Sequence, residues 1–535
     1  MHKTLTVTAS LCGSLFLLSG CLIGPRYHIA FPFPHRQAMP SGYKENPANF
    51  KPGKGWKVAQ PDAAMLIGKW WKIYRDPQLD SLEDSLEINN QNVKEYFENF
   101  MEARALVSEA NAQLYPTLTA DASYTRSFSP SRSSGGGGGT STASSTTSGA
   151  SGASGASTSG ASTSILSAAT KATPVTAIMS SLNLSWEPDL WGRIRNQVRA
   201  AQYNAQVSAA DLANERLTEE SSLAVYYFEL RGQDALIKLY ADTIEAYRRN
   251  LDYAKSQYET GITDRIAVVE ATNTLQNAQA TATNLGVLRA QYEHAIAVLT
   301  GRIASGFSIP PMTLEGAPPP VPVGLPSQLL ERRPDIAGAE RAMAASNANI
   351  GMAEAAYFPT VTISGAGGFQ SNMFNSLFDT HNKSWSTGPS VSETVFDAGL
   401  RAATVRQYVA TYNSDLAAYR QTVLTAFQQV EDYLAQVRIL SQQLMIQRDA
   451  VKSAQEYLKL EMDRYRTGID PYVDVVTAQT TLLTDQQTAV NAQIQEMTGS
   501  VQLIEALGGG WDRSQLPSAH DVSKWPRPSE SQMNQ

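Results

Sequence analysis

The chain has 535 residues, 42% of them apolar and 17% charged. An average soluble protein carries about 45–50% and 25%, so this chain is short of charge rather than of material for a core, and wholesale disorder is disfavoured. Its formal charge of -7 includes no basic block, which argues against nucleic acid as a partner. Both cysteines, Cys12 and Cys21, fall in the first 21 residues, so the rest can build neither a disulfide framework nor a cysteine-based zinc site.

The chain starts with a targeting segment. Lys3 precedes an apolar stretch over residues 5–18, too short for the roughly 20 residues that a hydrocarbon core demands, and it reads as a signal peptide over residues 1–20. The stretch closes on Leu18, Ser19, Gly20 and Cys21, which resembles a bacterial lipobox; Cys21 is then the lipidated first residue of the mature chain. Leu22, in place of an aspartate, favours passage to the outer membrane in lipoproteins of this kind. No later run of 18 apolar residues exists, so any bilayer crossing must use strands.

Two internal repeats follow. Tyr258, Thr260, Gly261 and Ile262 recur as Tyr465, Thr467, Gly468 and Ile469 at an offset of 207, which Gly192 and Gly399 share. Tyr115 and Pro116 through Thr119 resemble Phe358 and Pro359 through Thr362 at an offset of 243, which leaves 36 additional residues in the first copy. Residues 129–164, almost wholly Ser, Gly, Thr and Ala, account for them as a flexible insertion in a surface loop; an interdomain linker is the other reading of that composition.

Each copy reads as strand, loop, strand, long helix, turn and helix. Thr117, Thr119, Asp121 and Ser123 alternate with Leu118, Ala120, Ala122 and Tyr124, the period of a strand wet on one face. Leu182, Leu184 and Trp186 alternate likewise, as do Val361 and Ile363, and Val391 between serines, which gives four strands. No proline occurs over residues 399–467, and Leu416, Tyr419, Val423, Ala426, Val430, Tyr433, Val437, Leu440 and Leu444 keep the spacing of a coiled-coil seam. Residues 192–260 form a similar span, roughly 100 Å of helix. These observations divide the chain into 1–20 (signal), 21–76 (lipidated N-terminal part), 77–300 (repeat 1), 301–325 (Pro-rich connector), 326–507 (repeat 2) and 508–535 (C-terminal tail).

Four strands cannot close a membrane barrel, which needs at least about eight, and an open edge in lipid costs several kcal/mol per unpaired backbone group. Copies of the chain must therefore pool strands, and dimers, trimers and tetramers all satisfy the count. Helices continuing from the strands would prolong the tube into the periplasm around a water-filled passage.

The motifs now carry a resemblance. Leu325, Pro326, Ser327, Gln328, Leu329, Leu330, Glu331, Arg332, Arg333, Pro334, Asp335 and Ile336 are similar to the mid-chain signature of the outer-membrane efflux proteins, the TolC-like exit ducts, in their lipoprotein branch. Gly24, Pro25 and Tyr27, Trp70 and Trp71 with Asp76, Pro77 and Leu79, and Asp189 through Arg193 resemble further marks of that family. The resemblance implies a mixed α+β membrane protein: a homotrimer with a twelve-stranded β-barrel, continued by an α-helical coiled-coil barrel with a small mixed equatorial domain. It implies a periplasmic adaptor and an inner-membrane pump as partners, outer-membrane lipid as surroundings, and drugs or other small molecules as cargo. The exit duct of a type I protein-secretion system and a periplasmic adaptor lipoprotein are the alternatives; the second would need only one helical hairpin.

A duct needs no nucleophile, general base or cofactor, and the chain holds no Walker loop, His-Glu-x-x-His or nucleophile elbow. His28 and His35 lie in a proline-containing stretch that does not bring them to one helix face, so no metal site is expected. What a duct does need is a gate, and the turns at Gly261 and Gly468 are its natural place. Asp264, Arg265 and Glu270 flank the first; Arg464, Arg466, Asp470 and Asp474 flank the second. One carboxylate per copy around an axis makes a ring that repels itself and binds cations. In related ducts the constricting aspartates lie in a segment resembling residues 473–478; Asp474 matches one position, whereas Thr477 stands where a second is common. The gate candidates are Asp474 and Asp470, then Glu270 and Asp264; solvation of a helix end is the plainer reading of each. Tyr258, Thr260, Gly261, Tyr465, Thr467 and Gly468 are candidate adaptor contacts, and Trp186, Trp191 and Trp385 candidate interfacial anchors.

Overall fold

The computed structural model describes residues 22–33, 42–45, 68–128, 174–314, 316–321 and 330–524. Cys21, the Ser/Gly-rich stretch 129–164, His35 and residues 325–329 of the mid-chain signature lie outside the described residues. The chain divides into two compact units, one built from residues 1–113, 189–358 and 394–535, the other from residues 114–188 and 359–393.

The larger unit is helical. Trp70–Tyr74 forms a 3-10 turn, followed by α1 (Pro77–Asn89) and α2 (Gln91–Ala112). Asp76 starts α1 by accepting from the Gln78 and Leu79 amides, with Pro77 at the first position, where its missing N–H costs nothing. Helix α3 (Arg193–Glu259) is followed by α4 (Arg265–Leu299), then come α5 (Pro334–Ala355), α6 (Leu400–Arg466), α7 (Tyr472–Ala506) and the short α8 (Ala519–Ser523). The lengths run in pairs, 67 residues for α3 and α6 and 35 for α4 and α7. No helix among the described residues is long and apolar enough to cross a membrane.

Three clusters form most of the core. Trp70, Trp71, Leu79, Leu86, Leu223, Tyr227, Leu230, Ile296, Val501 and Ile504 join α1, α3, α4 and α7. Burying a tryptophan removes about 150–250 Å² from water, worth about 4–6 kcal/mol before entropy is subtracted. Phe33 and Tyr43 of the N-terminal segment pack on Tyr419, Val423, Ala426 and Val430 of α6. The third cluster gathers Tyr240, Tyr247, Leu251, Ala271, Leu275, Tyr465, Tyr472 and Val475 towards the two turns. Along α6 the predicted seam holds at Tyr419, Val423, Ala426, Val430, Leu440 and Leu444, but Leu434 is buried in place of Tyr433, which is only half-buried. Leu416 and Val437 are half-buried as well, and the predicted positions resume at Leu440 and Leu444, so the departure is local.

The smaller unit holds one four-stranded antiparallel sheet in the order β1-β2-β3-β4, from β1 (Thr117–Ser127), β2 (Val175–Trp186), β3 (Thr360–Ser371) and β4 (Lys383–Ser392). Its register aligns side chains into rows. Ala120 pairs with Leu182, Leu182 with Gly367 and Gly367 with Trp385; one residue on, Asp121 pairs with Ser181, Ser181 with Gly368 and Gly368 with Ser384. Since successive residues point to opposite faces, one face carries Leu118, Tyr124, Leu182, Leu184, Ile363, Trp385 and Val391, the other mostly serines and threonines, with Asp121, Asn183 and Gln370 among them.

Candidate functional site

Two places carry the chemistry: the pair of turns in the larger unit and the two-faced sheet of the smaller one.

Both turns are built alike. Gly261 and Gly468 each sit at φ +74, the left-handed conformation that glycine adopts freely. Each ends its helix with the same two bonds: Ile262 N–H donates to the Gln257 carbonyl (2.8 Å) and Gly261 to Tyr258 (3.0 Å), as Ile469 does to Arg464 (3.0 Å) and Gly468 to Tyr465 (3.0 Å). This Schellman arrangement satisfies carbonyls that would otherwise be orphaned.

Their side chains differ. After the first turn the Asp264 carboxylate accepts from the amides of Ile266 (3.0 Å) and Ala267 (3.3 Å), capping α4. Glu270 is half-buried one turn further along. After the second turn, Asp470 is gripped by Arg464, whose Nε and Nη2 both donate to it, Nη2 at 2.9 Å. The Arg464 guanidinium holds the Asp470 carboxyl below the usual carboxylate range. Glu461 stands beside them: carboxylate oxygens of Glu461, Asp470 and Asp474 lie within 4.8 Å of one another. Local desolvation, a hydrogen bond to Asp470 and the charges of Asp470 and Asp474 push Glu461 up, against the pull of Arg464. The second turn thus brings Asp470 and Asp474 together, while Asp264 and Glu270 belong to the first. Sequence reasoning missed Glu461, although its place three residues before Arg464 sets both on one helix face.

A groove of about 800 Å³ between the turns is lined by Thr260, Tyr465, Thr467 and Gly468 among the candidate contacts, and by Asp264, Glu270 and Asp470. Tyr258, 47% exposed, does not line it, nor does Gly261. Tyr465 is 5% exposed and packs against Tyr253 and Tyr472, at ring-centroid distances of 6.0 and 5.2 Å.

In the sheet, the apolar face is bare to an unusual degree for a folded protein: Leu118, Leu182, Tyr124, Trp385 and Val391 are all exposed. β1 and β4 each pair on one side only among the described residues, so the sheet has two open edges. Of the candidate anchors, Trp385 is 74% exposed on the apolar face. Trp186 is half-buried and donates through Nε1 to the Leu114 carbonyl (3.0 Å). Trp191, in the larger unit, stacks on Phe358 at 5.1 Å.

Comparison with known proteins bears on this geometry. The chain is 29% identical over 504 residues to the antibiotic efflux pump outer membrane protein ArpC of Pseudomonas putida, covering 94% of this chain and 95% of that one. It is 32% identical over 343 residues to the outer membrane protein OprJ of Pseudomonas aeruginosa, covering 63% and 70%. Among solved structures, the outer-membrane channel OprN superposes with a TM-score of 0.76 at 23% identity, covering 92% of this chain and all of that one. The Campylobacter jejuni CmeC outer membrane channel superposes with 0.76 at 20%, covering 95% and 100%, and both likenesses bear on the fold alone. A model of the outer membrane efflux protein family matches residues 82–302 and 325–509. Because that match takes in both long helix pairs and all four strands, the chain belongs to the outer membrane efflux protein family.

Proposed function

We propose that this chain is the outer-membrane exit duct of a tripartite efflux system, conducting drugs or other small molecules passively from the periplasm outward as a homotrimer. The observation that carries the reading is the sheet: one apolar face, one hydroxyl-rich face, and two open edges. Lipid tolerates no unpaired strand edge, so the β1 edge of one copy must meet the β4 edge of the next. Strand directions alternate through the sheet, so that junction is antiparallel too, whatever the number of copies. Three copies give twelve strands, with the apolar face against lipid and the polar face lining water. The names of ArpC and of the toluene efflux pump outer membrane protein TtgC, 28% identical over 504 residues, favour efflux of small molecules over protein secretion.

Energy comes from an inner-membrane pump, and a periplasmic adaptor docks at the groove between the turns, with Thr260, Thr467 and Gly468 at the surface it meets. Asp474, with Asp470 beside it, narrows the closed end. The duct needs no resident cofactor beyond the lipid on Cys21. Planar-bilayer conductance of the wild type and of Asp474→Ala tests the reading. The wild type should give discrete cation-blocked steps, and Asp474→Ala larger ones with weakened block. A folded oligomer that forms no pore would sink the reading; unchanged steps and block would remove Asp474 from the gate.

A further inference from the structure

The polar face of the sheet is almost free of charge. Along β1 it presents Thr117, Thr119, Asp121, Ser123 and Thr125, and the rows set opposite them through β2, β3 and β4 contain hydroxyls, amides, glycine, alanine and one methionine. Lys383 and Arg126 belong to the opposite face, in register with Phe369 and Thr176 respectively. Asp121 is therefore the sole ionisable side chain that the four strands present on this face. Its placement is fixed across two strands: Asn183 Nδ2 donates to Asp121 Oδ2 at 2.7 Å and Thr119 Oγ1 approaches the same oxygen at 3.4 Å. No Lys, Arg or His among the described residues pairs with it, so its charge is uncompensated. Aspartate is poorly suited to strands, and neither hydrogen bond requires a charge at this position.

We propose that Asp121 sets the charge preference of the strand-lined part of the duct, favouring cationic over anionic solutes. The inference rests on the duct reading, in which the hydroxyl-rich face lines water and every copy contributes one Asp121 to a ring. On a wall that is otherwise neutral, this carboxylate supplies the local field that a passing solute meets.

The test uses the full-length chain in proteoliposomes with a thiol reporter at Ser123, two residues along the same face and about 7 Å away. Thiol background is low, because Cys12 and Cys21 are the only cysteines. Ser123→Cys is modified with a trimethylammonium and a sulfonate methanethiosulfonate reagent, and the ratio of the two rates is read with and without Asp121→Asn. One unit charge at this distance should raise the cation-to-anion ratio about fivefold at 10 mM salt and about twofold at 150 mM. Asp121→Asn should abolish that excess, whereas Asp121→Glu should keep it, which a purely structural role would not predict. If the Asn variant does not assemble, the drop in ratio between 10 and 150 mM salt in the Ser123→Cys chain alone carries the test. A ratio indifferent to Asp121 and to salt overturns the proposal while leaving the duct intact. An introduced thiol that neither reagent reaches, yet reacts after denaturation, overturns it by removing the water-lined face itself.

Discussion

The turns at Gly261 and Gly468 share one backbone and do different work. Glycine angle, helix-ending bonds and the flanking Tyr-x-Thr-Gly-Ile order are the same in both. Yet Tyr258 faces solvent and Tyr465 is buried, and Asp264 caps a helix whereas Asp470, followed by Pro471, pairs with Arg464. Local sequence sets the turn; what packs across from it sets the role. Tyr465 meets Tyr253 of α3 and Tyr472 of α7, so it ties the second turn to the first helix pair, and Tyr258 has no such neighbours.

The largest expected effect breaks that asymmetry. Tyr465→Ala removes a buried ring from the third core cluster and should cost about 3–5 kcal/mol, against less than about 0.5 kcal/mol for Tyr258→Ala. Hydrogen exchange around the two turns separates these outcomes: protection should collapse near residue 465 in one variant and hold near 258 in the other. Equal losses would mean that the burial difference does not describe the protein in solution. Next come the shared features. A Cβ at Gly261 or Gly468 meets nothing within 4 Å, so Gly→Ala at either pays only for the left-handed backbone, about 1 kcal/mol and the same at both. Unequal costs by unfolding would show that the turns are not conformationally equivalent.

Much of this was legible in the residues, and the reasons are physical. Strands announced themselves through period-two alternation, and the turns through glycine after long proline-free runs. Other features were not legible. The shift of burial from Tyr433 to Leu434 is set by the cluster that α6 packs against, with Leu503, Ala506 and Leu507, since steps of three and of four both stay on one helix face. The burial of Tyr465 depends on residues more than 200 positions away, such as Tyr253, and no local pattern distinguishes it from Tyr258. The isolation of Asp121 emerged only when register aligned four strands and showed that nothing else on its face is charged. The pairing of the gate candidate Asp470 with Arg464 is a further contact that spacing alone does not assign.

Smaller effects sharpen the contrast in how each turn holds its carboxylate. Asp264→Ala removes the two amide bonds that start α4 and should cost about 1 kcal/mol, visible as faster exchange at Ile266 and Ala267. At the second turn Pro471 precedes α7 with no side-chain cap, so no substitution there has a matching effect on helix entry.

The smallest effect is electrostatic and has two opposite windows. Glu461 titrates above its ordinary range, so the protonated form is the better fit. Its contribution is fully present below the ordinary glutamate value of 4.5 and is lost as pH rises through the raised one. Asp470 titrates below its ordinary value of 3.8, so its contribution is present above that value and is lost as pH falls through the lowered one. Protection at the second turn, referred to the first, should therefore rise as pH falls through the Glu461 range and then fall again at strongly acid pH. Glu461→Gln should remove the first step and keep the second. Arg464→Gln should act at acid pH instead: without the guanidinium, the main hold on Asp470 is gone and only the Glu461 hydrogen bond still lowers it, so the second step should move up towards the ordinary aspartate range. A single monotonic change in all three proteins would mean that the carboxylates at this turn titrate independently, and the contrast between the two turns would then rest on Tyr465 alone.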